Sequence, residues 1–236
     1  MQREIDHLAV LVPAFKQGEA HNGHAGVGRK VFKLHRGNFI MLNIAAQRYM
    51  RRKALAFAGK AVHRSDTEYE KRRFLSAYTC RSAVMLSETA ASFGRVYTLD
   101  NELGLADEFL RTVLERARSV GAARIVCPDP VDPEKLAALI LPEDGLSLVA
   151  VSGDFRFDGK AARHFRLDAA AELSAAQQKE ARRAAALRRS LTSEACAALR
   201  RAKELHDALE AGYRPFVDFR ALTRFEEKHL EKAFSA

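Results

Sequence analysis

The stretch RVYTLDNELGLADEFLRTVLERARSVGAARIVCP, residues 95–128, decides the fold class. Arg95–Leu99 is a compact β-type run, and Asp100–Leu105 is a polar loop. From about Asp107 to Val120, the residues Phe109, Leu110, Val113, Leu114 and Ala117 recur at spacings of three and four. That is the period of a helix with one buried face. Gly121 stops the helix, and Ala123–Cys127 is a second apolar run ended by Pro128. Strand, loop, helix, glycine and strand form a βαβ unit, which predicts parallel pairing through a right-handed crossover.

Downstream, Pro133–Ile140 opens with a proline suited to a first helical turn and reads as a short helix. Leu139–Leu141 and Leu146–Val151 flank Pro142-Glu143-Asp144-Gly145, a hairpin signal. Gly153–Gly159 is a polar loop and Arg163–Leu167 one more strand. Upstream, Phe74–Tyr78 is strand-like, and Ser82–Ser92 reads as a short helix with Val84, Met85 and Leu86 on its apolar side. In the last third, Ser174-Ala175-Ala176-Gln177 matches a capping box. Helical periodicity then runs through Leu187, Leu191, Ala195, Ala198, Ala202, Leu205 and Leu209 to about Ala211, with Gly212 as the residue that ends it. At ~1.5 Å per residue such a helix is about 55 Å long. A kink near Thr192-Ser193 would divide it, and a final helix is expected from about Phe219 to Ala233, making an antiparallel arm or lid.

The chain has 236 residues, 47% apolar and 29% charged, which excludes a wholly disordered or collagen-like polypeptide. No run approaches the roughly 18 apolar residues of a membrane span. Met1–Asp6 carries acids where a signal peptide has a basic start. Cys80, Cys127 and Cys196 lack metal-ligand spacing and read as reduced packing residues of a cytoplasmic protein. The expected organisation is a basic, mainly helical segment over 1–70, an α/β domain over 71–170 and a helical arm over 171–236.

Charge is uneven. Residues 1–75 hold 15 Lys/Arg against 6 Asp/Glu, and the remainder holds equal numbers of each. A helix over Asn43–Lys60 carries Arg48, Arg51, Arg52 and Lys53 between apolar positions. A solvated face is the plain reading; a polyanion site for nucleic acid through residues 29–73, or an acidic protein surface, is the functional one. Near the amino terminus, Leu8–Val12 reads as a short strand. His21 and His24, with Glu19 the nearest acid, read as part of a polar loop rather than a metal site. Gly26-Val27-Gly28-Arg29-Lys30 resembles a phosphate loop without its G-x-x-x-x-G-K-[ST] spacing.

Several phrases together carry a family resemblance: Phe74-Leu75-Ser76-Ala77-Tyr78-Thr79, Cys127-Pro128, Pro133–Leu136, Leu141-Pro142-Glu143, Ala202–Asp207, then Glu210, Tyr213 and Val217-Asp218-Phe219. In these, residues from about 71 to 230 resemble the second half of a bacterial family of tandem P-loop NTPase-like proteins, described as ATPases or left uncharacterised. The resemblance implies a P-loop-type α/β sandwich with a short, mostly parallel sheet, a β-hairpin and a long carboxyl-terminal helical arm. It also implies that residues 30–70 correspond to the helical tail of a first half whose P-loop lies upstream of Met1.

A working P-loop needs glycines, a Lys for the β/γ oxygens and a Ser/Thr for Mg²⁺. The corresponding loop here is Asp100, Asn101, Glu102, Leu103, Gly104, Leu105, Ala106, Asp107, Glu108. Only Gly104 survives of the glycine pattern, and Asp107 and Glu108 stand near the Lys and Ser/Thr positions. At the end of Leu148–Val151, where the Mg²⁺-holding acid belongs, stands Ser152, with Asp154 two residues beyond. Carboxylates facing a triphosphate repel it, and a helix dipole of roughly half a charge does not offset them. Asp100, Asn101, Gly104, Asp107 and Glu108 therefore mark a degenerate cofactor position; helix capping, an acidic pocket and residual nucleotide binding remain its readings.

Other candidates are Cys127 with Asp129 and Asp132 at a strand's carboxyl end, Cys127 with His164 as a nucleophile pair, and His206-Asp207 on the long helix. Each reads more simply as packing or surface. The expected function is a non-catalytic, degenerate ATPase-like half with no cofactor, no metal and no membrane partner. It would scaffold or regulate a catalytic P-loop half or another copy of itself. The alternatives are an ATP-binding ATPase with an unusual loop, using ATP and Mg²⁺, and a nucleic-acid-binding module.

Overall fold

The computed structural model describes residues 44–234. The Leu8–Val12 run, the His21/His24 loop and Gly26–Lys30 lie outside the described residues. Helix α1 (Ile44–Ala61) leads to strand β1 (Glu70–Arg72) and to a small antiparallel hairpin of β2 (Ser76–Tyr78) and β3 (Ala83–Met85). A short α2 (Ser87–Ala91) follows, then β4 (Arg95–Asp100), α3 (Ala106–Val120), β5 (Arg124–Pro128), β6 (Leu136–Leu141), β7 (Leu146–Val151) and β8 (Arg163–Phe165). After a 3-10 turn at Asp168–Ala171 come the long α4 (Ala175–Tyr213) and α5 (Phe219–Phe234).

The chain is thus an α/β protein whose six-stranded sheet has the order β1-β5-β6-β7-β4-β8. Pairing is parallel for β1/β5, β4/β7 and β4/β8, and antiparallel where β6 meets β5 and β7. β4 and β5 run in the same direction, as the βαβ reading requires, yet they are not neighbours. The β6–β7 hairpin stands between them. Its sequences LAALIL and LSLVAV are nearly continuous apolar runs, buried along almost their whole length, and such strands belong at a sheet's centre.

The same apolar continuity explains why Pro133–Ile140 is not a helix. Leu136–Leu141 has no polar face to turn to water, so it pairs on both sides as a strand after a tight turn in which Lys135 N donates to Asp132 O at 2.8 Å. The Ser82–Ser92 helix is likewise divided: Ala83–Met85 pairs with Ser76–Tyr78, and only Ser87–Ala91 is helical.

Alternation sorts the strand residues between two cores. On one face Leu99, Leu139, Leu141, Leu146 and Leu148 pack under α1 and α3, which contribute Met50, Ala54, Ala58, Phe109, Leu110 and Val113. Phe57, Tyr97, Phe109 and Phe165 add an aromatic cluster there, with centroids 5.2–6.1 Å apart. Each such side chain, fully buried, contributes about 1.5–3 kcal/mol. The opposite face sets Val96, Ile125, Ala138, Ile140 and Val149 against Leu75 and Ala90, with Met85, Phe93 and Phe157 at its margin. Gly121 ends α3 in the left-handed region at φ 72°.

Helix α4 runs unbroken through Thr192-Ser193, and Gly212 lies inside it rather than after it. Its capping box is formed: Gln177 N donates to Ser174 Oγ at 3.3 Å, and Ser174 N to Gln177 Oε1 at 2.9 Å. Helix α4 touches the body as far as Arg200, burying Cys196 and sending Arg200 Nε to the Cys80 carbonyl at 3.2 Å. From residue 201 to 230 every side chain is exposed, so over those residues α5 buries no face against α4, unlike a packed antiparallel pair.

Candidate functional site

The carboxyl ends of β4 and β7 lie side by side, the place where α/β sheets build sites. β4 ends in Asp100, and the loop after it turns at Gly104, whose φ is 75°. Leu105 precedes α3 and has no polar side chain to cap it. Asn101 reaches forward instead, its Oδ1 accepting the Ala106 N–H at 3.0 Å.

Two acids clasp the loop from opposite directions. Asp100 Oδ1 accepts the backbone N–H groups of Leu167 and of Asp168, the latter at 3.0 Å. Asp168 returns the contact: Oδ2 accepts from Glu102 N at 2.8 Å and Oδ1 from Leu103 N at 3.3 Å. Burial pushes the Asp168 carboxyl up to about 6, the negative charge of Asp100 adds to this, and the two N–H donors oppose it. Asp107 is held too, Oδ1 by Leu136 N at 2.8 Å and Oδ2 by Arg111 Nε at 2.9 Å. Glu108 sits half-buried in the same first turn, its carbonyl taking the Thr112 hydroxyl at 2.8 Å.

Above the loop, Arg188 of α4 bridges β4 and β7. Its guanidinium meets Glu102 Oε2 at 2.7 Å and Asp154 Oδ2 at 3.1 Å, while Glu102 Oε1 accepts the Gly153 N–H. The Asp154 side chain is only 8% exposed, so its charge depends on this pairing. Tyr78, on β2, donates to Asp154 at 3.4 Å and packs its ring, tilted by 57°, against Phe155 with centroids 5.0 Å apart. Burial pushes the Tyr78 hydroxyl up to about 12; a hydrogen bond from Thr192 works the other way, and the charges of Asp154 and Asp129 add to the rise. Sequence reasoning singled out neither Asp168 nor Arg188; Tyr78 entered only within the Phe74–Thr79 phrase, and Asp154 as the acid two residues beyond Ser152.

The remaining candidates are scattered. Cys127 is buried and its thiol is pushed up to about 12 by that burial alone, the state of an inert cysteine. His164 lies on β8, with three strands between it and β5, a distance of about 19 Å at ~4.8 Å per strand. Its Nδ1 shares a 2.9 Å hydrogen bond with the Thr98 hydroxyl instead. Asp129 closes a local turn through Val131 N and Asp132 N, at 2.8 and 3.0 Å. His206, Asp207 and Glu210 place ligand atoms within 4.8 Å of one another, but all three are exposed on one helix and Lys203 already pairs with Asp207. Arg48, Arg51, Arg52 and Lys53 line the exposed side of α1.

Among the described residues no helix is long and apolar enough to cross a membrane. No family model, curated protein or solved structure matches the chain. The fold and its clasped loop stand on their own geometry.

Proposed function

We propose that this chain is a non-catalytic, degenerate P-loop-like α/β domain that scaffolds or regulates a catalytic NTPase half, on a separate polypeptide or in another copy of itself. One observation carries the reading. Where a phosphate loop would present backbone N–H groups to a nucleotide, the N–H groups of Glu102 and Leu103 close on the Asp168 carboxylate. An internal anion holds the donors. Asp100, Glu102 and Asp107 surround that place with further negative charge, and two like charges 4 Å apart repel by about 4 kcal/mol near a protein surface. The cations that meet these acids are already answered, Arg188 by Glu102 and Asp154 and Arg111 by Asp107.

A partner-binding role is supported by the arm, where Leu205, Leu209, Phe216, Phe219, Leu222 and Phe225 are exposed together. Calorimetric titration of the full chain with Mg-ATP tests the reading. No heat of binding is expected up to millimolar nucleotide. A dissociation constant tighter than ~1 mM (about −4 kcal/mol) with a stoichiometry near one overturns it in favour of an ATPase with an unusual loop.

A further inference from the structure

Several cations beside the sheet are answered by acids: Arg111 by Asp107 at 2.9 Å, Arg118 by Glu70 at 2.6 Å, Lys135 by Asp132 at 3.3 Å. Arg124, buried, meets both Glu70 and Glu68, at 2.7 and 3.0 Å. Helix α1 has no such pairs. It carries Arg48, Arg51, Arg52, Lys53 and Lys60 with no acid in its 18 residues. All five are exposed, and among the described residues no carboxylate pairs with any of them.

The helix geometry spreads these charges over the exposed arc of α1. Ala46, Met50, Ala54 and Ala58 recur every four residues and are buried, packing α1 into the core. Opposite that row stand Arg48 and Arg52, four residues apart and so about 5–6 Å from each other, while the exposed Arg51 and Lys53 lie on its two flanks. Holding like charges together is unfavourable unless a ligand of opposite charge neutralises them. Tyr49 stands in their midst, 36% exposed, with the Arg52 guanidinium 5.9 Å and the Lys53 ammonium 5.3 Å from its ring centroid.

We propose that the outer face of α1 binds single-stranded nucleic acid, with Arg48, Arg51, Arg52 and Lys53 contacting phosphates and Tyr49 stacking on a base. Backbone-tracking cations with an exposed aromatic among them are the elements of sequence-tolerant single-strand binding. A lipid surface fits less well, because the apolar stripe that would enter the bilayer is buried in the core and only Leu55 is a large exposed aliphatic on the outer face. This proposal goes beyond the scaffold reading and does not depend on the Asp100–Leu105 loop.

Fluorescence anisotropy of the full chain with a labelled 20-nucleotide oligo-dT tests it. Four phosphate contacts at a salt slope of about −0.7 each predict roughly 50-fold weaker binding at 200 mM than at 50 mM salt. The triple variant Arg48→Glu/Arg51→Glu/Arg52→Glu is expected to bind at least ~10-fold more weakly, with the salt slope reduced by about 2. Arg182→Glu/Arg183→Glu/Arg189→Glu, the same charge change on α4, is expected to bind like the parent chain. The corresponding Arg→Gln triple on α1, with its melting temperature measured alongside, separates lost contacts from lost folding. Tyr49→Ala is expected to weaken binding without changing the salt slope. Failure of the parent chain to bind at 50 mM salt overturns the proposal. So does equal loss in both Glu triples, or no loss in the α1 variants. Tighter binding to a 20-base-pair duplex, or α1-dependent binding to phosphatidylserine vesicles without oligonucleotide binding, also overturns it.

Discussion

Asp100 and Asp168 hold each other's backbone. Each carboxylate accepts N–H groups from the segment that carries the other, Asp100 from Leu167 and Asp168, and Asp168 from Glu102 and Leu103. The exchange ties the end of β4 to the 3-10 turn before α4, and it brings two acids into one half-buried place.

That proximity has a pH signature. The Asp168 carboxyl, ordinarily near 3.8, is raised to about 6 in the fold. The folded chain therefore binds the proton more tightly, and stability falls as pH rises from about 4 through 6. Asp168→Asn is expected to flatten that part of the profile, read as the urea midpoint against pH. An unchanged profile contradicts the assignment.

Glu70 has the opposite sign. Its hydrogen bonds to Arg118, and then to Arg124, hold its carboxyl at about 2, below its ordinary 4.5, against the effect of burial. Its stabilising contribution is complete above pH 4.5 and is lost as pH falls from there toward 2. Glu70→Gln is expected to lower the melting temperature at pH 7 and to leave it nearly unchanged near pH 2.

Arg188→Ala removes the bridge between α4 and the strand ends and leaves Asp154 as a nearly buried carboxylate without its ion-pair partner. A loss of about 1–3 kcal/mol in unfolding free energy is expected. Faster hydrogen exchange in the first half of α4 and in residues 152–155 is expected with it. Exchange unchanged there would show that the helix is held by other contacts.

Gly94 adopts φ 117°, and a Cβ at that position would stand 2.6 Å from the Gly145 carbonyl oxygen. Neither backbone yields easily, because Arg95 N donates to that same oxygen at 2.9 Å. Gly94→Ala is expected to cost at least ~2 kcal/mol, measured by denaturant unfolding.

The thiols offer a chemical check. Cys127 and Cys196 are buried and Cys80 is partly exposed, all three free. A thiol-specific chromophore is expected to label one cysteine of the native chain and all three after unfolding.

The helical period of α3, its glycine stop and the capping box of α4 were legible because each is written in residues a few positions apart. The place of the Asp100–Glu108 loop was legible for the same reason. Its partner was not: Asp168 lies 68 positions further on, and Arg188 lies 86 positions beyond Glu102. No local pattern announces such pairings. Pro133 misled the reading of β6, since a proline suits a helix start as well as the turn before a strand, and only tertiary burial of Leu136–Leu141 decides between them. The order of strands was hidden because a βαβ pattern fixes relative direction and not how many strands stand between.

The β6–β7 hairpin points to an assembly order for the sheet that starts at its centre. Its two strands are joined by Pro142–Gly145, a turn of four residues, so the middle of the sheet closes the smallest loop and loses the least chain entropy. β5 and β4 are then expected to add on its two sides, with the three-residue rim strands β1 and β8 joining last. Unravelling runs the other way, from the rims toward the hairpin, and Leu139 and Leu148 would be among the last backbone amides to meet solvent.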